Sequence, residues 1–317
     1  MINNIDKTIR VLIELPTWLG DCVMSTPAIE NIISHYKNIE ITIIGPVSSI
    51  EIIKHNPNVF KTIILDHKFK TFFELKNKLD DYDVFFTFRA SVRAKFLKFF
   101  VRATAKYQFN HKNYPNCHQV EKYVGFVNDA LCSNYPAGKL SNYFSNRSKP
   151  KNSKLIGINP GASYGSAKRW YPEQFAKIAL AFSDEFDIIL FGGVNEINFA
   201  KKIEAELLEN NVHNYVNLSG KTSILELNNY ISTLDIFVTG DSGPMHIAAS
   251  LDIPTIAIFG PTNPLETSQW MCANSQIIKK DLACQPCMKK TCPLEHHNCM
   301  KLIKAEDVIE SISSTLS

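Results

Sequence analysis

Short apolar runs recur along the chain, each closed by a turn containing Gly, Pro or Asp and followed by a segment whose apolar residues repeat with helical period. In the first half, Ile9–Leu15, Ile39–Ile44, Val59–Leu65 and Asp83–Phe88 read as buried strands. Helices are expected over Val23–Tyr36 and around Leu75–Leu79, and Gly45-Pro46 closes the second strand. The polar stretch Ser141–Ser153 has the composition of a linker. After it the alternation restarts. Strands are predicted at Leu155–Asn159, Asp187–Phe191, Tyr215–Leu218, Ile236–Thr239 and Thr255–Phe259. Helices are predicted at Pro172–Phe182, Asn198–Glu209, Ile224–Ser232 and Met245–Ser250, the first of them with Pro in its opening turn. Alternation of this kind predicts an α/β protein with parallel sheets covered by helices on both faces. Two rounds of it predict two domains, residues 1–150 and 151–317, meeting at a cleft. No short tandem repeat is present, which excludes a solenoid.

Composition supports two cores, since 45% of the 317 residues are hydrophobic. A net charge of +3 is too small for a polybasic nucleic-acid binder, and no nucleic-acid partner is expected. The charge is unevenly spread, however. Between Arg89 and Lys112 stand seven Lys or Arg residues, including Arg89, Arg93, Lys95 and Lys98, and no Asp or Glu. Such a surface attracts an anionic partner, although a solvated helix face has the same composition. Phe96, Leu97, Phe99 and Phe100 lie among these cations. They allow contact with a membrane surface, but the favoured reading packs them in the core and turns only the cations outward. The first residues lack the pattern of a signal peptide, and no apolar run approaches the ~20 residues of a membrane helix. A cytoplasmic protein is expected, its eight cysteines reduced or metal-bound.

Two loops carry the most specific chemistry. One is Asn159-Pro160-Gly161-Ala162-Ser163-Tyr164-Gly165-Ser166-Ala167-Lys168-Arg169-Trp170, and the other is Thr239-Gly240-Asp241-Ser242-Gly243-Pro244-Met245-His246. Each follows a predicted strand and leads towards a helix. Asp241 or Ser242 can cap the second helix, Gly243 permits close backbone approach, and Pro244 suits a first turn. The helix end adds partial positive charge, and Lys168 and Arg169 add two full ones. Together they describe a diphosphate site. Taken singly, each loop is equally an ordinary helix cap or a surface cation pair. Trp170 reads as a packing residue. Glu196, after Gly192-Gly193, stands where an acid can bond ribose hydroxyls, and equally where helix starts favour acids. In the first half, Pro16-Thr17-Trp18-Leu19-Gly20-Asp21 leads from a strand into a helix. Asp21 is either that helix's cap or a general base for an attacking hydroxyl. Cys22 beside it reads as a small apolar residue.

Three segments, Leu15–Ile29 (LPTWLGDCVMSTPAI), Asn159–Phe175 (NPGASYGSAKRWYPEQF) and Val238–Pro264 (VTGDSGPMHIAASLDIPTIAIFGPTNP), resemble the ADP-heptose–lipopolysaccharide heptosyltransferases of Gram-negative bacteria. They occur in that family's order and spacing over nearly the whole chain. The Gly-Ser-Ala-Lys-Arg-Trp form is most similar to the members that add the second heptose. The resemblance implies a GT-B architecture of two Rossmann-like domains facing across a cleft. Residues 1–150 would bind the lipid A–inner-core lipopolysaccharide acceptor, and residues 151–317 would bind ADP-heptose. It further implies Asp21 as base, Lys168 on the donor phosphate, and Asp241, Ser242 and Gly243 around the diphosphate. His246 matches a family histidine near that loop and is equally a packed helix residue. Gly161, Ser163, Lys168, Arg169, Glu196, Asp241, Ser242, Gly243 and His246 are therefore the candidate donor site. Arg89, Arg93, Lys95 and Lys98 are the candidate acceptor contacts, with peripheral attachment at the cytoplasmic face of the inner membrane. The expected reaction is an inverting heptosyl transfer. Alternatives are another GT-B enzyme, such as a heptosyltransferase of different acceptor or a sugar-nucleotide epimerase, and a non-catalytic nucleotide- or metal-binding module.

No catalytic metal and no cofactor beyond the donor are expected. Cys284-x-x-Cys287-x-x-x-x-Cys292, then His296, His297 and Cys299, have spacing compatible with structural zinc. An iron–sulfur cluster fits less well, and reduced structural thiols are the default.

Overall fold

The computed structural model describes residues 7–65, 78–144, 154–161 and 164–317. It divides into two compact units, Met1–Tyr143 and Phe144–Ser317, with the division inside the polar Ser141–Ser153 stretch.

The first unit holds a five-stranded sheet of β1 (Ile9–Glu14), β2 (Ile39–Gly45), β3 (Val59–Ile64), β4 (Tyr82–Thr87) and β5 (Ala103–Gln108). All pairings are parallel, in the order β3-β2-β1-β4-β5. Alternation along the strands feeds two cores. Leu12, Ile44 and Phe85 pack with Leu97 and Val101 on one face. Phe86 points the other way and meets Phe126 edge-on. The predicted helix over 23–36 is two helices, α1 (Leu19–Met24) and α2 (Thr26–His35). The Ser25 hydroxyl donates back to the Cys22 carbonyl (2.7 Å), the Thr26 hydroxyl to that of Val23 (2.8 Å), and Pro27 has no N–H to continue the ladder. The predicted helix around Leu75–Leu79 falls mostly outside the described residues, as does the linker beyond Phe144. Among the described residues the unit has three further helices: α3 (Val47–Ile53), α4 (Val92–Phe100) and α5 (Gln119–Leu131).

The second unit is a six-stranded parallel sheet. Its strands are β6 (Leu155–Asn159), β7 (Asp187–Leu190), β8 (Tyr215–Asn217), β9 (Ile236–Gly240), β10 (Thr255–Ile258) and β11 (Gln276–Ile278). Their order is β11-β10-β9-β6-β7-β8. One face, with Ile156, Ile158, Val238, Ile256 and Ile258, packs against α6 (Pro172–Phe182), α7 (Ile197–Glu209) and α12 (Ala305–Leu316). Helices α8 (Ile224–Ile231), α9 (Gly243–Ser250), α10 (Pro264–Thr267) and α11 (Asn298–Lys301) complete the set. The opposite-facing Ala257 and Phe259 pack with Met245 of α9.

Strand order fixes where a ligand can sit. In the first unit the chain runs outward from β1 through β2 and β3, then restarts on the other side with β4. In the second it restarts at β9 after β6–β8. Loops leaving adjacent strands there diverge to opposite faces and open a crevice at the carboxyl ends. The crevice of the second unit lies between the two loops picked out in the sequence, and that of the first lies beside the loop leading to Asp21.

Candidate active site

In the second unit the two loops are in direct contact. Lys168 ends a short 3-10 turn (Ser166–Lys168), and its ammonium lies 2.5 Å from Asp241 Oδ2. Both side chains are nearly buried, 12% and 6% exposed, so the pair is held where water screens it little. The Thr262 hydroxyl donates to the same Asp241 oxygen (2.7 Å). The Tyr164 ring lies 4.9 Å from the Lys168 ammonium and 5.7 Å from that of Lys290. Asp241 thus fixes a cation from the first loop on the second.

Ser242 occupies the N-cap position of α9, but its side chain makes no cap hydrogen bond. Its hydroxyl lies 3.0 Å from that of Thr239 and accepts from the Asn159 amide (3.1 Å), which also donates to Thr239 Oγ1 (2.9 Å). This net ties the ends of β6 and β9 together. Among the described residues it leaves the first turn of α9 without a side-chain cap, with Gly243 at its start and Pro244 next. His246 is buried in the same helix.

Arg169 points to Glu196, Nη2 to Oε1 at 3.4 Å, and its Nε is buried without a hydrogen-bond partner. Glu196 is itself buried and accepts from the Gly193 N–H (3.0 Å). Gly161 faces it so closely that a Cβ there would stand 2.6 Å from Glu196 Cγ. Ser163 lies outside the described residues. Trp170 is a core residue, edge-on to Phe175, with its indole N–H on the Ile303 carbonyl.

The cysteine-rich segment braces the first loop and the loop that follows β10. The Ala167 N–H donates to the Lys290 carbonyl (3.0 Å), and His297 Nε2 lies 2.9 Å from the Ala167 carbonyl. The Tyr164 hydroxyl donates to the Met288 carbonyl, and the Met288 N–H to that of Pro261. Cys284, Cys287, Cys292, Cys299 and His296 line one small cavity together with Ala167 and Pro261. Burial, reinforced by the other three thiols, pushes the Cys299 thiol up to about 11. Among the described residues no three His, Cys, Asp or Glu side chains are gathered as a metal site.

In the first unit Asp21 lies in the first turn of α1, whose N-cap is Trp18 and not Asp21. Burial, with the Asp21 charge behind it, raises the Tyr123 phenol well above its ordinary value. Cys22 is fully buried and donates to the Ser49 carbonyl; burial raises this thiol as well. The basic run divides. Arg89 is drawn inward to Glu14 at the end of β1 (Nη1 to Oε1, 3.4 Å). Glu14 is completely buried and accepts from the Thr87 hydroxyl across the β1–β4 register (2.6 Å). Burial raises its carboxyl above the ordinary glutamate value, against the opposing pull of Thr87, Arg89 and Arg93. Arg93 is half-buried, Lys95 is exposed and Lys98 is half-buried on α4. The expectation that the phenylalanines are core is wrong: only Leu97 is buried, and Phe96, Phe99 and Phe100 are exposed.

Among residues that sequence reasoning missed, Asn159 and Thr262 stand inside quoted segments. Tyr164 also does, but it gains meaning only from its contacts. Glu14 interrupts the apolar strand Ile9–Leu15, and a charge inside such a run is itself a signal. Lys290 and His297 reach the site through contacts with residues about 130 positions away, which no local pattern reveals.

Residues 67–298 match the model of glycosyltransferase family 9 (heptosyltransferase). The chain belongs to that family. It is 40% identical over 316 residues to lipooligosaccharide heptosyltransferase 2 of Campylobacter jejuni, covering 97% of this chain and 98% of that one. Its fold is similar to that of ADP-heptose lps heptosyltransferase II of E. coli, with a TM-score of 0.80 at 21% identity, covering 97% of this chain and 98% of that one. It is also similar to E. coli heptosyltransferase WaaC with ADP, with a TM-score of 0.77 at 17% identity, covering 97% and 100%. The α/β, GT-B class expected of the sequence holds, and the chain is a glycosyltransferase and not a non-catalytic module. Among the described residues no helix is long and apolar enough to cross a membrane.

Proposed function

We propose that the protein transfers L-glycero-D-manno-heptose from ADP-heptose to the heptose of the lipopolysaccharide inner core on lipid A, with inversion at the anomeric carbon. The observation that carries the reading is the Lys168–Asp241 pair beside the uncapped start of α9, at the switch point of the second sheet. A diphosphate placed there accepts from the first amides of α9 and from Lys168. Asp241, a carboxylate, repels phosphate. Its part is to hold Lys168 and Thr262 in place. Arg169 adds a second cation, and Glu196 is available to the ribose.

In the reaction the acceptor hydroxyl attacks the anomeric carbon and its proton passes to Asp21. The new glycosidic bond forms as the bond to phosphate breaks, and ADP departs with the electron pair. Charge growing on the leaving phosphate is met by Lys168 and the helix end, so no divalent metal is required. The acceptor is a lipid, so the protein works in peripheral contact with the cytoplasmic face of the inner membrane. Arg93, Lys95 and Lys98 face the acceptor's phosphates and carboxylates, and Arg89 orders that surface from within. The 40% identity to a lipooligosaccharide heptosyltransferase 2 supports the choice of donor and acceptor.

Heptose transfer to a core truncated after its first heptose tests the reading. Asp21→Ala is expected to lower turnover by roughly 10²–10⁴-fold with ADP affinity unchanged, the range for losing a general base. EDTA is expected to have no effect. Transfer by Asp21→Ala at the normal rate, or consumption of ADP-heptose without labelled acceptor, defeats it.

A further inference from the structure

We propose that α4 is a membrane-docking helix that inserts Phe96, Phe99 and Phe100 among the headgroups of an anionic phospholipid bilayer while Lys95 and Lys98 pair with lipid phosphates. The proposal deepens the reading of a lipid acceptor by naming the element that meets the membrane.

Helix α4 has two apolar stripes where a surface helix needs one. Ala94 and Leu97, continued by Val101, are buried against the sheet and hold the helix to the first unit. Val92, Phe96, Phe99 and Phe100 fall on the opposite side at a spacing of 3.6 residues per turn. They are 68%, 55%, 81% and 51% exposed. Phe99 and Phe100 stand edge to face with each other, 5.6 Å between ring centres. Three neighbouring exposed phenylalanines on one short helix form an apolar patch that water solvates poorly.

The surrounding charge identifies the occupant. Among the described residues no carboxylate pairs with Lys95 or Lys98, whereas Arg102 at the helix end is already bound to Asp81 (2.7 Å). Nothing acidic occurs from residue 89 to 112, so an anionic surface meets no repulsion from this segment. Cations flanking an outward aromatic stripe match the two layers of a bilayer interface, phosphates outside and acyl chains within. The helix is far too short to span, so it lies in the interface plane.

Sedimentation of the full chain with vesicles tests the proposal, using phosphatidylcholine alone and phosphatidylcholine mixed with phosphatidylglycerol. Neither donor nor lipopolysaccharide is present, so failure of the heptosyl-transfer reading would leave the result unaffected. The wild-type chain is expected to bind the anionic vesicles, and less so as salt is added. Phe96→Ser/Phe99→Ser should weaken binding roughly 30-fold, as expected for losing two partly inserted rings. Lys95→Gln/Lys98→Gln should weaken it roughly 20-fold on anionic vesicles while leaving the weaker binding to neutral ones. All four side chains are outside the core, and unchanged thermal unfolding of the variants confirms folding. A wild-type chain that ignores vesicles, a phenylalanine variant that sediments like wild type, or self-association through these phenylalanines without vesicle binding overturns it.

Discussion

Each unit carries an ion pair at the carboxyl end of its central strands, and the two pairs are built for different work. Arg89–Glu14 grows out of the sheet itself. Its carboxylate is on β1, fully buried and bonded to Thr87 of the neighbouring strand, and burial disfavours its charge. Lys168–Asp241 joins two loops, with both charges just beneath the surface beside a helix start that no side chain caps. The first pair has its partners supplied by rigid strands and is spent on holding the sheet end in shape. The second holds a cation ready beside open backbone donors, an arrangement that an incoming diphosphate completes. The same Rossmann-type rule sets the place of both pairs, and the surrounding donors decide whether the place serves structure or chemistry.

The contrast can be broken most forcefully at Lys168. Lys168→Ala should reduce heptose transfer by roughly 10²–10³-fold, the range for removing a donor aimed at a leaving oxyanion, and it also costs stability by stranding the nearly buried Asp241. Glu14→Ala should cost stability while leaving the donor loops intact. It strands a mostly buried Arg89 and is expected to cost about 3 kcal/mol of stability in urea unfolding, because one partner of a buried pair is lost. Glu14→Gln sharpens the point through pH. The folded-state carboxyl of Glu14 is raised, so its contribution is complete below the ordinary glutamate value and is lost as pH rises through the raised value. The stability advantage of wild type over Glu14→Gln should therefore be largest in acid and shrink towards neutrality.

Gly165→Ala tests the brace behind the second pair. A Cβ at Gly165 would stand 2.3 Å from the Lys290 carbonyl oxygen, which the Ala167 N–H already fixes. The loop must shift, at a cost of about 1–3 kcal/mol, and ADP binding should weaken with it. The smallest effect is expected from Ser242→Ala. It removes one hydroxyl from the Asn159–Thr239 net, for about 1 kcal/mol of stability and a modest rise in the donor KM.

Much of this was legible in the chain. The β6, β7, β9 and β10 strands follow from short aliphatic runs ended by glycine, and α6 follows from Pro172 and its apolar period. Lys168, Arg169, Asp241 and Ser242 fall in one site because their loops leave strands of one sheet. The pairing of Lys168 with Asp241 has no sequence signal, since phosphate chemistry points both towards the ligand. Helix α4 turns its phenylalanines outward, opposite to what their chemistry suggests. Aromatic residues usually mark a core, but a helix of nine residues on one sheet face has room to bury only one stripe, and Ala94 and Leu97 take it. Strand β5 (ATAKYQ) is not legible in the sequence because lysine and glutamine dilute its alternation, and pairing with β4 supplies what its sequence lacks.

Calorimetric titration of ADP into wild type, Lys168→Ala and Asp21→Ala tests the central claim most directly. The account predicts that Lys168→Ala weakens ADP binding about tenfold, the loss of one charge-assisted contact to phosphate, while Asp21→Ala binds as wild type does. Unchanged ADP affinity in Lys168→Ala would contradict it, because the diphosphate would then rest somewhere other than the edge where the two loops meet.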